Sequence, residues 1–173
     1  MKKLKSRLLP VFMMMALLFS ATSCGVKYGF TGGSIPEGMK TVSVIYFENI
    51  ASMVYPTLSQ NFTEKLKEQI RNQSSLSQVN DNADATFEGF ITDYTISPAA
   101  VEAGTDRAAL NRLSITIKVN YHNKIVEKDN FEQSFTRYKD FSGQLQAAQE
   151  ETLNKEIIQM LVEDVYNRAF ANW

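Results

Sequence analysis

From Leu113 to His122, Leu113, Ile115, Ile117, Val119 and Tyr121 alternate without a break with Ser114, Thr116, Lys118, Asn120 and His122. Successive side chains of a strand point to opposite faces, so this run predicts a strand with one buried side and one wet side. A strand of this kind is not stable alone. It needs partner strands in a sheet and a second layer over its apolar face, and the rest of the chain must supply both.

Three further strands and two helices are written into the sequence. TVSVIYF, Thr41 to Phe47, is β-branched and aromatic and predicts a central strand. DATFEGFITDYTI, Asp84 to Ile96, predicts another, interrupted at Gly89 and ended by Pro98, with 98–111 as a long loop or a short helical excursion. Phe131 to Phe141 predicts a strand joined to the alternating one through Asn123 to Asn130, which makes that pair antiparallel. Leu58, Phe62, Leu66 and Ile70 recur every four residues after Pro56, with charged residues between them, the pattern of an amphipathic helix. The segment Leu145 to Phe170 lacks Gly and Pro and carries two adjacent stripes, one from Leu153 to Ala169 and one from Ile158 to Phe170. That arc is wide enough to cover the sheet and touch the first helix, or to meet a partner protein. The expected fold is therefore an α/β (α+β) two-layer sandwich: a four-stranded mixed sheet with two helices on one face, in the order β-α-β-β-β-α.

The N-terminus carries Lys2, Lys3, Lys5 and Arg7, an apolar run from Leu8 to Phe19, and the small residues Ser20 to Ser23 before Cys24. This is the order of a secretory signal segment, and 12 apolar residues broken by Pro10 are too few to span a bilayer, which takes about 20. Ala21-Thr22-Ser23-Cys24 resembles the lipobox of bacterial lipoproteins, which implies cleavage before Cys24 and lipidation there, with acyl chains such as palmitate as the membrane anchor. Cys24 is the only cysteine, so the alternative is a free thiol beside a new terminus. The domains expected are a signal peptide at 1–23, a lipidated Gly-rich tether at 24–39 and one α/β domain at 40–173. Gly25 rather than an acidic residue after the cysteine favours the outer membrane, facing the periplasm.

Composition excludes several functions. Without the four signal-segment cations, 18 Lys+Arg fall to 14 against 19 Asp+Glu, a formal net of −5 that offers no nucleic-acid footprint. His122 is the only imidazole and falls on the wet side of its strand, so no triad or His-rich zinc site can form. Glu150-Glu151 and Glu163-Asp164 are expected on a solvated helix face. Gly29 to Gly33 lacks the preceding strand and following helix of a phosphate loop. The sequence thus predicts no catalytic residue, no metal and no cofactor. Its candidate ligand groups are cations: Arg107 and Arg112 around the long loop, Lys118 on the alternating strand, Lys124 and Lys128 in the connection, with Arg137 and Lys139 on the last strand. They either clamp the phosphates of an anionic glycolipid or form ordinary surface charge balanced by Glu127, Asp129, Glu132 and Asp140.

The stretches CGVKYGFTGGSIPEGMKTVSVIYFENIA, PTLSQNFTEKLKEQI and DATFEGFITDYTISP resemble the LptE family of lipopolysaccharide-assembly lipoproteins. The most specific parts are Phe30-Thr31-Gly32, the strand ending Tyr46-Phe47-Glu48-Asn49, and the helix from Pro56 to Ile70. The resemblance implies a non-enzymatic outer-membrane protein that plugs and helps assemble the LptD β-barrel and binds lipopolysaccharide during its insertion. It fixes no residue of a lipopolysaccharide site. A strand ending in Phe-Glu-Asn before a helix also resembles the opening of other periplasmic lipoproteins, so the alternative is a regulator of a cell-wall synthase or a secretion-pore subunit.

Overall fold

A computed structural model describes residues 35–101 and 108–171 of the chain. The signal segment, Cys24 and Arg107 lie outside the described residues. The elements in order are β1 (Thr41–Val44), β2 (Glu48–Asn49), α1 (Leu58–Gln73), β3 (Ser77–Gln78), β4 (Ala85–Val101), β5 (Ala108–Asn123), a 3-10 turn (Glu127–Asp129), β6 (Phe131–Phe141) and α2 (Ala147–Phe170). The sheet runs β3-β1-β4-β5-β6, with β2 also paired to β4.

The fold is mixed α+β with two helices, as expected, but the sheet has six strands, not four. One extra strand arises because the predicted run Thr41 to Phe47 breaks after Val44. Phe47 turns fully into the core, and Glu48 and Asn49 then resume pairing with Phe90 and Ile91 of β4. The other, β3, is two exposed polar residues and so carried no apolar pattern. Backbone hydrogen bonds Ser77 N to Lys40 O and Val79 N to Val42 O hold it beside β1. β1 is parallel to both neighbours, while β4, β5 and β6 are antiparallel.

The expected long loop at 98–111 is a second correction. β4 passes through Pro98 to Val101 and β5 starts at Ala108, with Pro98 opposite Asn111. Beyond Ile91, β4 has β5 on one side and no described strand on the other. Pro is tolerated at such an edge, and the register shifts between Pro98 and Ala100 as it would beside a residue that cannot donate.

Both helices lie on the side of the sheet that carries Leu113, Ile115, Ile117, Val119 and Tyr121, all buried. Phe62 of α1 meets Phe47 edge-on at 4.9 Å, and Phe170 of α2 contacts Phe87 and Tyr121 at 5.8 and 6.0 Å. The wide apolar arc of α2 is spent here: it covers β5 and β6, and its Tyr166 hydroxyl donates to Gln73 O at the end of α1. A bulge at Thr92 lets Ile91 face Ile117 while Asp93 faces Thr116. It reverses the alternation, so Tyr94 points inward and is buried.

Two positions show how tightly this arrangement is set. A Cβ on Gly89 would lie 2.0 Å from Lys118 O and 2.8 Å from Phe47 Cε1, so the missing side chain is what lets Phe47 lie against the sheet. Asp84, just before β4, accepts from Lys40 N, Thr41 N and Thr41 Oγ1 at 2.8 to 2.9 Å, tying the start of β1 to the start of β4. These donors, the Lys40 N–H first, hold its carboxyl below the ordinary value of 3.8.

Gly89→Ala is expected to destabilise the domain by about 1–3 kcal/mol, as overpacked cores are, measured by urea denaturation. Asp84→Asn is expected to lower the melting temperature by a constant amount at neutral pH. Because the folded carboxyl titrates below the unfolded one, its contribution is complete above about pH 4 and fades as pH falls further. Melts of the two proteins should therefore converge at acid pH, and a difference unchanged down to pH 2 would assign the loss to shape rather than charge.

Candidate functional site

The face of β4, β5 and β6 turned away from the helices is the surface that a covering layer leaves free. The β5–β6 register is continuous from Tyr121 opposite Phe131 to Asn111 opposite Phe141, so side chains on this face stand in rows. Arg112 faces Asp140 and binds it through two hydrogen bonds, Nε to Oδ1 at 2.7 Å and Nη2 to Oδ2 at 3.0 Å. The guanidinium also lies 3.7 Å from the centre of the Tyr138 ring. Thr116 and Thr136 share a hydrogen bond at 2.9 Å, and Lys118 pairs with Glu132. The Arg112 hydrogen bonds hold the Asp140 carboxyl below its usual range. Short polar side chains and closed ion pairs, with no continuous apolar strip, make this half of the face smooth and wet.

The candidate cations are not gathered into one cluster. Arg112 and Lys118 share the open face. Lys124 lies at the other end of β5, roughly 40 Å from Arg112 along the strand, where its Nζ donates to Asn82 Oδ1 at 3.0 Å. Lys128 sits in the exposed 3-10 turn. Arg137 and Lys139 are on the helix side, where they bind Asp164 at 2.6 Å and Glu156 at 2.8 Å. The open face alone therefore brings two candidate cations into one continuous surface.

The acidic pairs on α2 have structural partners. Glu150 accepts from the buried Tyr94 hydroxyl at 2.6 Å, Glu151 binds Lys155 at 2.7 Å, and Asp164 binds Arg137. Burial, then the Glu150 hydrogen bond, raises the Tyr94 phenol well above its ordinary value. His122 is exposed at the end of β5, opposite Thr86. Among the described residues no group of three His, Cys, Asp or Glu is placed to hold a metal ion, and no helix is long and apolar enough to cross a membrane.

One feature of the surface escaped sequence reasoning. Between β1 and α1, Ile45, Tyr46, Ile50, Met53 and Val54 are all exposed, and Phe90 of β4 joins them on the open face. The available signal was the run from Ile45 to Thr57, in which Glu48 is the sole charged residue. Ile45 to Phe47 read as the end of a central strand and Glu48 to Tyr55 as a loop, so the apolar surface that the two stretches share went unrecognised.

The profile of the LptE family, described as lipopolysaccharide-assembly, matches residues 39–169. The chain belongs to the LptE family. No individual characterised sequence matches it significantly. Among solved structures it is similar to a minor lipoprotein of Acinetobacter baumannii, at 14% identity and TM-score 0.50, over 75% of this chain and 91% of that one. It is also similar to lipoprotein B of Nitrosomonas europaea, at 15% identity and TM-score 0.53, over 79% and 84%. A hypothetical protein of Chlamydia trachomatis aligns at 9% identity and TM-score 0.54, over 78% and 99%. At these identities the three structures establish the shared fold of this LptE-family domain and nothing of its ligand.

Proposed function

We propose that this LptE-family chain is a non-enzymatic outer-membrane lipoprotein. In this proposal it is anchored through lipid on Cys24, plugs and helps assemble the LptD-type β-barrel, and binds lipopolysaccharide during insertion. The observation that carries the proposal is the family match over residues 39–169, the whole of the sheet and nearly all of α2. The open face supports it physically. The lumen of a large outer-membrane barrel is polar, and a face of threonines, serines and closed ion pairs can lie against such a wall without stranding a charge.

Arg112 and Lys118 are the proposed lipopolysaccharide contacts within the described sheet, with Arg107 as a further candidate. Arg112 and Lys118 stand roughly 20 Å apart along β5, so they would meet different groups of the glycolipid, and Lys124 and Lys128 lie farther on, past the end of β5. Each open-face cation already has a carboxylate partner, so a bound phosphate exchanges one anion for another.

Two measurements test this. Mild-detergent capture of the tagged lipoprotein from its own outer membrane is expected to recover a large β-barrel in near-equal amount. Recovery of a cell-wall synthase, or of a homo-oligomeric ring without a barrel, would favour the regulatory or pore alternative. Replacing Arg112 and Lys118 together by Glu is expected to weaken binding of purified lipopolysaccharide several-fold, with the deficit greatest at low salt. Binding equal to wild type would remove both residues from the contact.

A further inference from the structure

On the same open face, next to Lys118, which stands opposite Phe90 and is paired with Glu132, is a cavity of about 280 Å³ lined by Ile45, Tyr46, Glu48, Glu88, Phe90 and Asn120. Its side walls are apolar and exposed: Ile45 47%, Tyr46 54% and Phe90 42%. Its charged groups are both carboxylates. Glu88 stands directly opposite Asn120 across the β4–β5 ladder, and Glu48 is beside Phe90 in the β2–β4 pairing. Among the described residues, neither carboxylate forms an ion pair. Asn120 Oδ1 is buried without a hydrogen-bond partner. Elsewhere on the same face the acids Glu132 and Asp140 are each closed by a cation. Here acceptors converge, no cation lines the cavity, and two aromatic rings flank it.

We propose that this cavity receives a lysine or arginine side chain from an apolar segment of the protein partner, resting on the plug reading above for the identity of that partner. A basic side chain supplies what the site lacks: donors for Asn120 Oδ1, positive charge between Glu48 and Glu88, and a surface that Tyr46 and Phe90 can face through cation–π contact. Apolar neighbours of that side chain would cover Ile50, Met53 and Val54, which lie exposed in the same segment of chain. Charge selects against a lipid occupant. Phospholipid headgroups would bring phosphate against two uncompensated carboxylates, and a second copy of this domain is left for the crosslinking below to separate.

The test uses the full-length lipoprotein in its own outer membrane, with Phe90 replaced by the photocrosslinking residue benzoylphenylalanine, and separately with Glu48→Lys and Glu88→Lys combined. Adducts are expected on the barrel within two residues of a Lys or Arg. The double reversal is expected to reduce recovered barrel at least tenfold, while Glu127→Lys on the remote turn leaves recovery unchanged. Adducts confined to lipid or to a second copy, or barrel recovery at the wild-type level from the double reversal, would overturn the proposal and leave the plug reading standing. Absence of any barrel with the wild-type protein would instead remove that reading and this inference with it. Crosslinking at Phe90 keeps both carboxylates, so the proposal is still decided if the double reversal fails to fold.

Discussion

The antiparallel ladder between β4 and β5 is the constraint on which the remaining structure depends. It runs from Ala85 opposite Asn123 to Val101 opposite Ala108 and places Phe87 against Tyr121, Ile91 against Ile117 and Tyr94 against Ile115. A slip of one residue would turn every one of those side chains to the solvent face. With the register set, one side of the sheet is a continuous apolar floor. α2 then has a single way to bury Leu153, Ile157, Leu161 and Val165, each at 9% exposure or less. Burial of a side chain of this size contributes roughly 1.5–3 kcal/mol, so helix docking and sheet register reinforce each other.

The ladder also fixes what is left over. The bulge at Thr92 spends one residue without a partner, and the return is that both halves of β4 place their large side chains inward. Glu88 and Phe90 before the bulge, and Asp93 and Thr95 after it, therefore share the open face with Lys118, Thr116 and Ser114. The same two strands pair on to Val101 opposite Ala108, so the candidate cation at 112 and the acceptor-lined cavity belong to one surface at different points along the ladder.

Sequence reasoning recovered what periodicity encodes. β5 and both helices were legible because each repeats its apolar positions over three or more turns or pleats, and the β6 bounds, read from Phe131 to Phe141 without such a repeat, coincide with the structure. β2 and β3 are two residues each and have no period to read; backbone bonds to β4 and β1 define them. Pro98 was taken as a stop, since a proline in a central strand would be one, but nothing in the local sequence says that β4 is by then an edge. For the site, the position of Lys118 on the wet side of β5 followed from alternation, whereas Arg112 was read with the long loop. Glu132 and Asp140 were among the carboxylates expected to balance these cations, but which acid meets which cation is set across the β5–β6 register, a tertiary fact. Ile45 and Tyr46 were misplaced for the converse reason: apolar residues of a β-branched run are assigned to a core by default, and only the fold shows that these two are exposed while Phe47 turns inward.

The open face is thus divided by its electrostatics. Around Arg112 and Lys118 the facing carboxylates Asp140 and Glu132 are each paired with a cation, which leaves Asp93, an acceptor for the Thr95 hydroxyl, as a carboxylate outside the ion pairs on this half. Around Glu48, Glu88 and Asn120 the acceptors have no described donor, and the apolar residues nearby are without cover. A monomer that remained alone in water would gain nothing from keeping those two deficits together, since exposed apolar surface and unpaired charge are each tolerated more easily apart. Their coincidence in one part of the open face is what a surface completed by another molecule requires. It also separates the functions that the two halves can serve: the balanced half can slide against a polar wall, whereas the unbalanced half fixes register and orientation.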